Sequence, residues 1–326
     1  MSLMVNGELR DEWLEAEREQ GAFVRKDSVF RNWITPDGRP GSTGEGDFKA
    51  EPGRYHLYVS HACPWSHRTV ILRKLKRLED VISMSVVHPH MGAKGWTFEP
   101  YPGATKDAVN GRHYLYEIYK LARPDYTGIV QVPVLWDKEQ KTIVNNESSE
   151  IIRMFNSAFE DYTEARTDYY PQHLRNAIDE VNQLVYANVN NGVYRCGFAS
   201  TQQAYEAAFD RLFETLGELD ACLARQRYLV RSTLTEADWR LFVTLVRFDP
   251  VYYSHFKCNL GRIIDYPHLA NYMRDLYQHF GVAETINFDH IKRHYYTSHD
   301  AINPNRIIPK GPAMDLWAPH NRGRFT

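Results

Sequence analysis

Cys63 combines a reactive side chain with an unusual local sequence, because it directly precedes Pro64. The apolar run 56–60 predicts a strand before it, and the pattern 69–75 predicts a helix after it. Proline is well tolerated at the first helical position, where its missing N–H would be unpaired anyway. The remaining free N–H groups and the positive end of the helix dipole would point at the sulfur and stabilise its thiolate. We therefore predict a nucleophilic Cys63; the alternative is a small buried apolar side chain.

The surroundings of Cys63 offer no second thiol. Position 66 is Ser66, so there is no Cys-x-x-Cys pair, and the other cysteines are Cys196, Cys222 and Cys258. Any disulfide that Cys63 forms must therefore be resolved by an external thiol or by a distant cysteine.

Histidines close to Cys63 raise the alternative of a metal site. They are His61, His67, His88 and His90. A zinc site usually takes four ligands, and no second cysteine is near, while the start of the helix aims the sulfur away from the side face that carries His67. We predict that no metal is bound.

Composition limits the class of protein. A chain of 326 residues favours two domains. With 39 basic and 41 acidic residues, it has no charge excess that would favour nucleic acid or an anionic membrane. No apolar run approaches the ~20 residues of a membrane helix, and four cysteines do not suggest a disulfide framework. A reducing cytoplasm fits best.

Patterning divides the chain into four parts: an irregular N-terminal extension over 1–54, an α/β domain over 55–160, an all-helical domain over 170–300 and a tail over 301–326. In the α/β domain, the pattern of apolar residues predicts strands at 55–60, 82–87, 132–136 and 142–144. It predicts helices at 64–77, 112–122 and from 146 onward. Thr235 and Asp238 form a Thr-x-x-Asp signature of a helix start in the second domain. Further helices are predicted at 267–280 and 283–294.

Several motifs occur in an order that covers nearly the whole chain. They are Cys63-Pro64-Trp65, Gly95-Trp96-Thr97-Phe98, Val132-Pro133-Val134-Leu135-Trp136-Asp137, Asn146-Glu147-Ser148, Asn191-Gly192-Val193-Tyr194, Arg247-Phe248-Asp249-Pro250-Val251-Tyr252 and His290-Ile291-Lys292-Arg293-His294-Tyr295. In this ordered set of motifs, the chain resembles the glutathionyl-hydroquinone reductases, the xi class of the cysteine-type glutathione transferases. The resemblance implies a thioredoxin-like N-terminal domain followed by an all-α C-terminal domain, glutathione as co-substrate with no bound cofactor, and a homodimer.

The residues that the resemblance assigns to glutathione also have a physical rationale. Val132-Pro133 is a candidate cis peptide, since proline in a central strand is otherwise disfavoured, and the Val132 backbone would pair with a peptide ligand. Glu147 and Ser148 begin a helix whose N-terminus suits the carboxylate of a ligand, while the Glu147 side chain would meet the amino group of the same ligand. The alternative is that these residues only cap the helix. Trp96 would cover the ligand, or else pack between domains.

One position departs from the family pattern. The family usually has an arginine near the start of the loop before Val-Pro, whereas the segment 127–131 has none. We expect Gln131 or another basic residue to take its place.

Three tyrosines complete the expected site. By the resemblance, Tyr194, Tyr252 and Tyr295 act with Cys63 on the substrate, although the neighbouring Tyr253 and Tyr296 leave the assignment open by one residue. A phenol can donate a hydrogen bond to a thiolate or return a proton to an aromatic anion.

The resemblance implies an enzyme that removes the glutathionyl group from glutathionyl-hydroquinones through a Cys63–glutathione mixed disulfide, giving hydroquinone and glutathione disulfide. Two alternatives remain. One is a cysteine-type transferase acting on dehydroascorbate or protein mixed disulfides, which needs Cys63 but not the tyrosines. The other is a non-catalytic ligand-binding module, which has no need of an exposed nucleophile.

Overall fold

The computed structural model describes residues 2–10 and 13–325, and the structural statements below concern these residues. The strands are β1 (Ser2–Val5), β2 (Glu8–Arg10), β3 (Arg18–Glu19), β4 (Ala22–Phe23), β5 (Tyr55–Val59), β6 (Ser83–Val86), β7 (Gly128–Val130), β8 (Val134–Asp137) and β9 (Thr142–Asn145). The α-helices are α1 (Trp13–Ala16), α2 (Pro64–Leu75), α3 (Leu115–Ala122), α4 (Ser148–Ser157), α5 (Arg175–Val185), α6 (Gly192–Phe198), α7 (Gln202–Leu223), α8 (Glu236–Arg247), α9 (Pro267–Tyr277) and α10 (Phe288–Ser298). Two π-helical segments, Tyr186–Asn190 and Phe248–Tyr252, precede α6 and follow α8.

Contacts group the described residues into two compact units. The first unit comprises Met1–Ala16, Lys26–Thr167 and Glu284–Asp300, and the second comprises Glu17–Arg25, Asp168–Ala283 and Ala301–Thr326. This division differs from the expected boundaries, because α10 belongs with the α/β unit while part of the N-terminal extension and the tail belong with the helical unit. Sequence periodicity finds the elements but does not show which of them pack together.

The first unit contains the expected thioredoxin-like sheet. Its four strands have the order β6-β5-β8-β9, with β5 parallel to β6 and antiparallel to β8. Every residue of β5 and β8 is buried, as in strands that are covered on both faces. Helices α2 and α4 pack against each other, which brings together the two helix starts that carry Cys63 and Glu147.

The expectation of an irregular segment over 1–54 is wrong at its start. Strand β1 pairs with β2 and with β7 in a second sheet, so that Leu3 lies opposite Ile129. Strands of three or four residues are too short to show a clear alternation of apolar and polar side chains. The pairing of β1 with β7 joins distant parts of the chain, which local patterning does not reveal.

The second unit is mainly helical and also holds the short strands β3 and β4; its predicted helix start at Thr235 is confirmed. Thr235 donates its backbone N–H to the carboxylate of Asp238 at 2.8 Å, and the two residues form a capping box. Asp238 also accepts the Tyr272 hydroxyl at 2.8 Å. Burial raises the pKa of Asp238 to about 6, against the lowering effect of these hydrogen bonds.

The C-terminal tail is anchored to the helical unit. The buried guanidinium of Arg322 donates to the carbonyl oxygen of Leu223 at 2.6 Å and to those of Gln226 and Arg227. Leu223 is the last residue of α7, and Gln226 and Arg227 follow it, so the guanidinium lies at the helix C-terminus, where a cation is favourable. No helix in the described part of the chain is long and apolar enough to cross a membrane.

Candidate active site

Cys63 occupies the N-cap position of α2, with Pro64 as the first helical residue, as the sequence predicts. Its backbone is extended (φ −74°, ψ 124°), and its side chain makes no capping hydrogen bond. The half-buried thiol instead lies 3.5 Å from the carbonyl oxygen of Val132. The sulfur therefore lies at the helix start but does not cap the helix.

Ser66 has a structural role in the same turn. Its buried hydroxyl accepts the backbone N–H of Ser60 at 3.3 Å, which ties the end of β5 to the first turn of α2. Cys196, Cys222 and Cys258 lie in the second unit, and no two of the four cysteines form a disulfide among the described residues. Among the described residues, no three His, Cys, Asp or Glu side chains are arranged to hold a metal ion.

The Val132–Pro133 peptide is cis, which confirms the prediction from the sequence. It lies between β7 and β8, and Val132 is buried. In the described part of the chain, nothing accepts a hydrogen bond from the Val132 N–H. A buried backbone donor normally has a partner, so this loop presents an N–H that a peptide ligand could satisfy beside Cys63.

Glu147 is the N-cap of α4, so the capping alternative is realised. One carboxylate oxygen accepts the backbone N–H of Ser149 at 3.0 Å and its hydroxyl at 2.8 Å, and the other accepts the Ser28 hydroxyl at 3.1 Å. Burial opposes ionisation, but these hydrogen bonds and the charge of Arg68 outweigh it and lower the pKa of Glu147 below its ordinary value. The helix start therefore carries a fixed negative charge.

Arg68 supplies a basic group next to this helix start. Its guanidinium donates to the Ser148 hydroxyl at 3.4 Å and lies 4.5 Å from the ring centre of Trp65. Arg68 is buried in the first half of α2. No local pattern marks Arg68, because its burial and its contact with Ser148 arise only when α2 packs against α4.

Gln131 joins the same hydrogen-bond network. Its side-chain amide donates to the Ser28 hydroxyl at 3.0 Å, and Ser28 in turn donates to Glu147. The Gln131 carbonyl accepts the hydroxyl of Tyr119 at 2.7 Å, which fixes the loop. Ser28 comes from the N-terminal extension, and sequence analysis missed it because no local pattern marks it.

Trp96 is only 3% exposed and belongs to the core cluster of the first unit. Its ring stacks on the imidazole of His294, with centroids 4.6 Å apart. Gly95, with φ +80°, allows the turn before it, where a Cβ atom would lie 2.5 Å from the Ser2 hydroxyl oxygen. The buried Nε1 of Trp96 has no hydrogen-bond partner among the described residues. Trp96 therefore packs as a core residue and retains an unused donor.

Tyr295 lies on α10 and is buried between His294 and His299, with ring centroids 5.2 and 5.6 Å away. Tyr296 is buried too, so burial does not distinguish the two. The contacts place Tyr295 in the same unit as Cys63.

Tyr194 and Tyr252 come together in the second unit, with ring centroids 6.0 Å apart. Tyr194 lies on α6 and Tyr252 ends the second π-helical segment. Both rings pack on Phe256, at 5.4 and 5.5 Å. Tyr252 is fully buried whereas Tyr253 is half-buried, so the cluster includes Tyr252.

Family models match both units. Residues 62–158 match the glutathione S-transferase N-terminal domain, and residues 202–275 match the glutathione S-transferase C-terminal domain. The chain is 54% identical to the glutathionyl-hydroquinone reductase YqjG of Escherichia coli (strain K12), over 99% of this chain and 98% of that protein. It is 51% identical to the glutathionyl-hydroquinone reductase PcpF of Sphingobium chlorophenolicum, over 97% and 98%.

The chain belongs to the glutathionyl-hydroquinone reductases, the xi class of the glutathione transferases. The glutathione-bound structure of YqjG superposes with a TM-score of 0.89 at 56% identity, over 90% of this chain and 96% of that one. A xi-class transferase from Natrialba magadii superposes with a TM-score of 0.91 at 47% identity, over 100% and 97%. The expected family and fold class are thereby confirmed.

Proposed function

We propose that this chain removes the glutathionyl group from glutathionyl-hydroquinones, using glutathione and releasing hydroquinone and glutathione disulfide. The observation that carries the proposal is the thiol of Cys63 at the N-cap of α2, 3.5 Å from the Val132 carbonyl. The relatives YqjG and PcpF are named for this activity.

In this proposal, glutathione binds as an added strand at Val132 and Pro133. The unpaired N–H of Val132 would take a carbonyl of the peptide, as in other strand-addition sites. The ionised Glu147, hydrogen-bonded through Ser28 to Gln131, would face the ammonium group of the γ-glutamyl end. Arg68 stands where the α-carboxylate would meet the N-terminus of α4 beside Ser148.

Trp96 would complete the glutathione site. Its unused Nε1–H is a donor for an oxygen of the ligand, and its stack on His294 fixes the ring. A rigid aromatic donor contributes to binding at little cost in conformational entropy.

In the first chemical step, the Cys63 thiolate attacks the sulfur of the glutathionyl group. The bond between that sulfur and the ring carbon breaks with its electron pair remaining on carbon. Tyr194 supplies the proton to this carbon, and Tyr252 and Tyr295 assist by hydrogen bonding. Hydroquinone leaves and Cys63 remains as a mixed disulfide with glutathione.

The second step regenerates the thiolate. Ser66 occupies the position where a resolving cysteine would stand, and its hydroxyl is engaged in the β5–α2 turn. A second glutathione therefore attacks the mixed disulfide and leaves as glutathione disulfide. The overall reaction oxidises two glutathione sulfur atoms by one electron each, the thioether sulfur of the substrate and the thiol sulfur of the second glutathione, and reduces one ring carbon by two electrons.

The protein is expected to act in the cytoplasm as a homodimer. A chain with only four cysteines has too few for a disulfide framework, and this composition suits a reducing compartment. Large exposed apolar side chains on the second unit, such as Phe280 and Trp317, offer surface for association. Light scattering after size exclusion tests the dimer.

Turnover of a panel of glutathionyl-hydroquinones tests the function. The wild type should release hydroquinone with glutathione present, Cys63→Ala should be inactive, and the half-buried Cys222→Ala serves as the matched control that retains activity. Turnover by the wild type of dehydroascorbate or mixed disulfides alone would replace the proposal with the broader transferase activity.

A further inference from the structure

Arg25 holds a positive charge against Tyr194. Its guanidinium carbon lies 5.1 Å from the ring centre of Tyr194 and 5.1 Å from that of Phe23. Phe23, the last residue of β4, itself lies 6.3 Å from Tyr194. A guanidinium at this distance is attracted by the negative face of an aromatic ring. The cation therefore has a defined position beside the phenol.

A hydrogen bond fixes the same guanidinium to the start of α6. Arg25 Nε donates to the side-chain oxygen of Asn191 at 3.1 Å. Asn191 is buried at the N-cap of α6, and Tyr194 follows it by three residues, which places both on one face of the helix. Arg25 thus contacts the proton donor and the helix start that carries it.

This contact has a chemical consequence when Tyr194 acts as an acid. Its O–H bond breaks, the proton goes to the ring carbon that loses sulfur, and a phenolate remains. An adjacent positive charge stabilises a phenolate relative to the phenol. The phenolate regains its proton from the thiol of the incoming glutathione. The glutathione thiolate formed in this way attacks the mixed disulfide on Cys63, which closes the cycle with atoms and charges balanced.

We propose that Arg25 is a positioning residue that orients Tyr194 and stabilises its phenolate during proton transfer to the hydroquinone ring. The proposal rests on the proposed function, because it concerns the tyrosine assigned there as the proton donor. It gives the N-terminal segment Glu17–Arg25, which groups with the second unit, a part in the reaction. The competing explanation is that Arg25 only attaches this segment to α6.

Two substrates and matched variants separate these explanations. Arg25→Met removes the charge and keeps an apolar chain on the rings, whereas Arg25→Lys retains the charge. Arg175→Met is the matched control, since Arg175 lies 5.0 Å from the Tyr170 ring and donates to the Tyr170 carbonyl at 3.3 Å in the same unit. The substrates are S-glutathionyl-hydroquinone and the mixed disulfide of glutathione with 2-mercaptoethanol, whose thiolate leaving group needs no carbon protonation.

Arg25→Met should lower kcat on S-glutathionyl-hydroquinone by about 5- to 30-fold, the scale of a partly desolvated cation–π contact. The kcat of Arg25→Met on the mixed disulfide should fall far less. Arg25→Lys should recover most of the loss in kcat on S-glutathionyl-hydroquinone. Arg175→Met should keep the wild-type kcat on both substrates. Equal losses on both substrates, or no loss on the hydroquinone, would overturn the role of Arg25. Failure of the wild type to turn over S-glutathionyl-hydroquinone would overturn the proposed function and this inference with it.

Discussion

The thiol of Cys63 and the backbone carbonyl of Val132 lie 3.5 Å apart although 69 residues separate them in sequence. The contact joins the start of α2 to the loop before β8. A peptide that pairs with the Val132 backbone would therefore bring its own sulfur close to Cys63. In the proposed mechanism, recognition of glutathione and attack on its sulfur would therefore share one site.

Glu147→Ala should raise the glutathione concentration needed for half-maximal rate by ~10- to 150-fold, since a hydrogen bond to a charged group contributes ~1.5–3 kcal/mol. Thr201→Ala is the matched control, because Thr201 caps α7 by accepting the Ala204 N–H and has no part in the proposed site. Each loss of a cap should cost ~1 kcal/mol of stability. If steady-state kinetics show the same KM in both variants, Glu147 is a helix cap and nothing more.

Trp96→Phe should keep the stack on His294 and lose only the indole N–H. We expect glutathione to bind ~2- to 10-fold more weakly, the scale of one neutral hydrogen bond. Trp136→Phe provides the comparison, because Trp136 lies in the same core cluster with an equally unpartnered Nε1. Calorimetric titration with glutathione should show a loss in the first variant alone; equal affinities would mean that Trp96 is only packed.

Tyr194→Phe should slow release of hydroquinone by ~10²–10⁴, the usual contribution of general acid catalysis. Most activity on the mixed disulfide should remain, and Tyr252→Phe and Tyr295→Phe should show smaller losses. Tyr205→Phe, which removes a hydroxyl that donates to the Lys257 carbonyl at 2.7 Å, should have no effect on either substrate. Parallel losses on both substrates in Tyr194→Phe would point to structure or thiol activation.

His56 should make stability fall on acidification. Its ring lies between the hydroxyls of Ser83 and Ser85 at 2.7 and 2.9 Å, and burial lowers its pKa to about 4. Between pH 6.5 and 4 the unfolded chain binds a proton that the native state does not, so stability is lost as pH falls, by ~2 kcal/mol from pH 7 to pH 5. Urea unfolding should show a smaller loss in His56→Gln; the same loss as in the wild type would contradict the assignment.

The parts of the candidate site that local chemistry determines could be predicted from the sequence. The N-cap position of Cys63 could be predicted because Pro64 suits the first helical position, and Val132-Pro133 is a candidate cis peptide because proline is disfavoured in a central strand. Ser28 and Arg68 were missed because their roles arise only when distant elements pack; Ser28 and Glu147, for example, are 119 residues apart. The same reason hid the contact between Arg25 and Tyr194.

Intact mass of the wild type after one equivalent of S-glutathionyl-hydroquinone, with no glutathione added, tests the central claim most directly. The account predicts one equivalent of free hydroquinone and a protein heavier by one glutathionyl group, which peptide mapping locates on Cys63. Addition of glutathione should then restore the original mass and release glutathione disulfide. Release of hydroquinone from a protein of unchanged mass, or with an internal disulfide between Cys63 and another cysteine, would contradict the account.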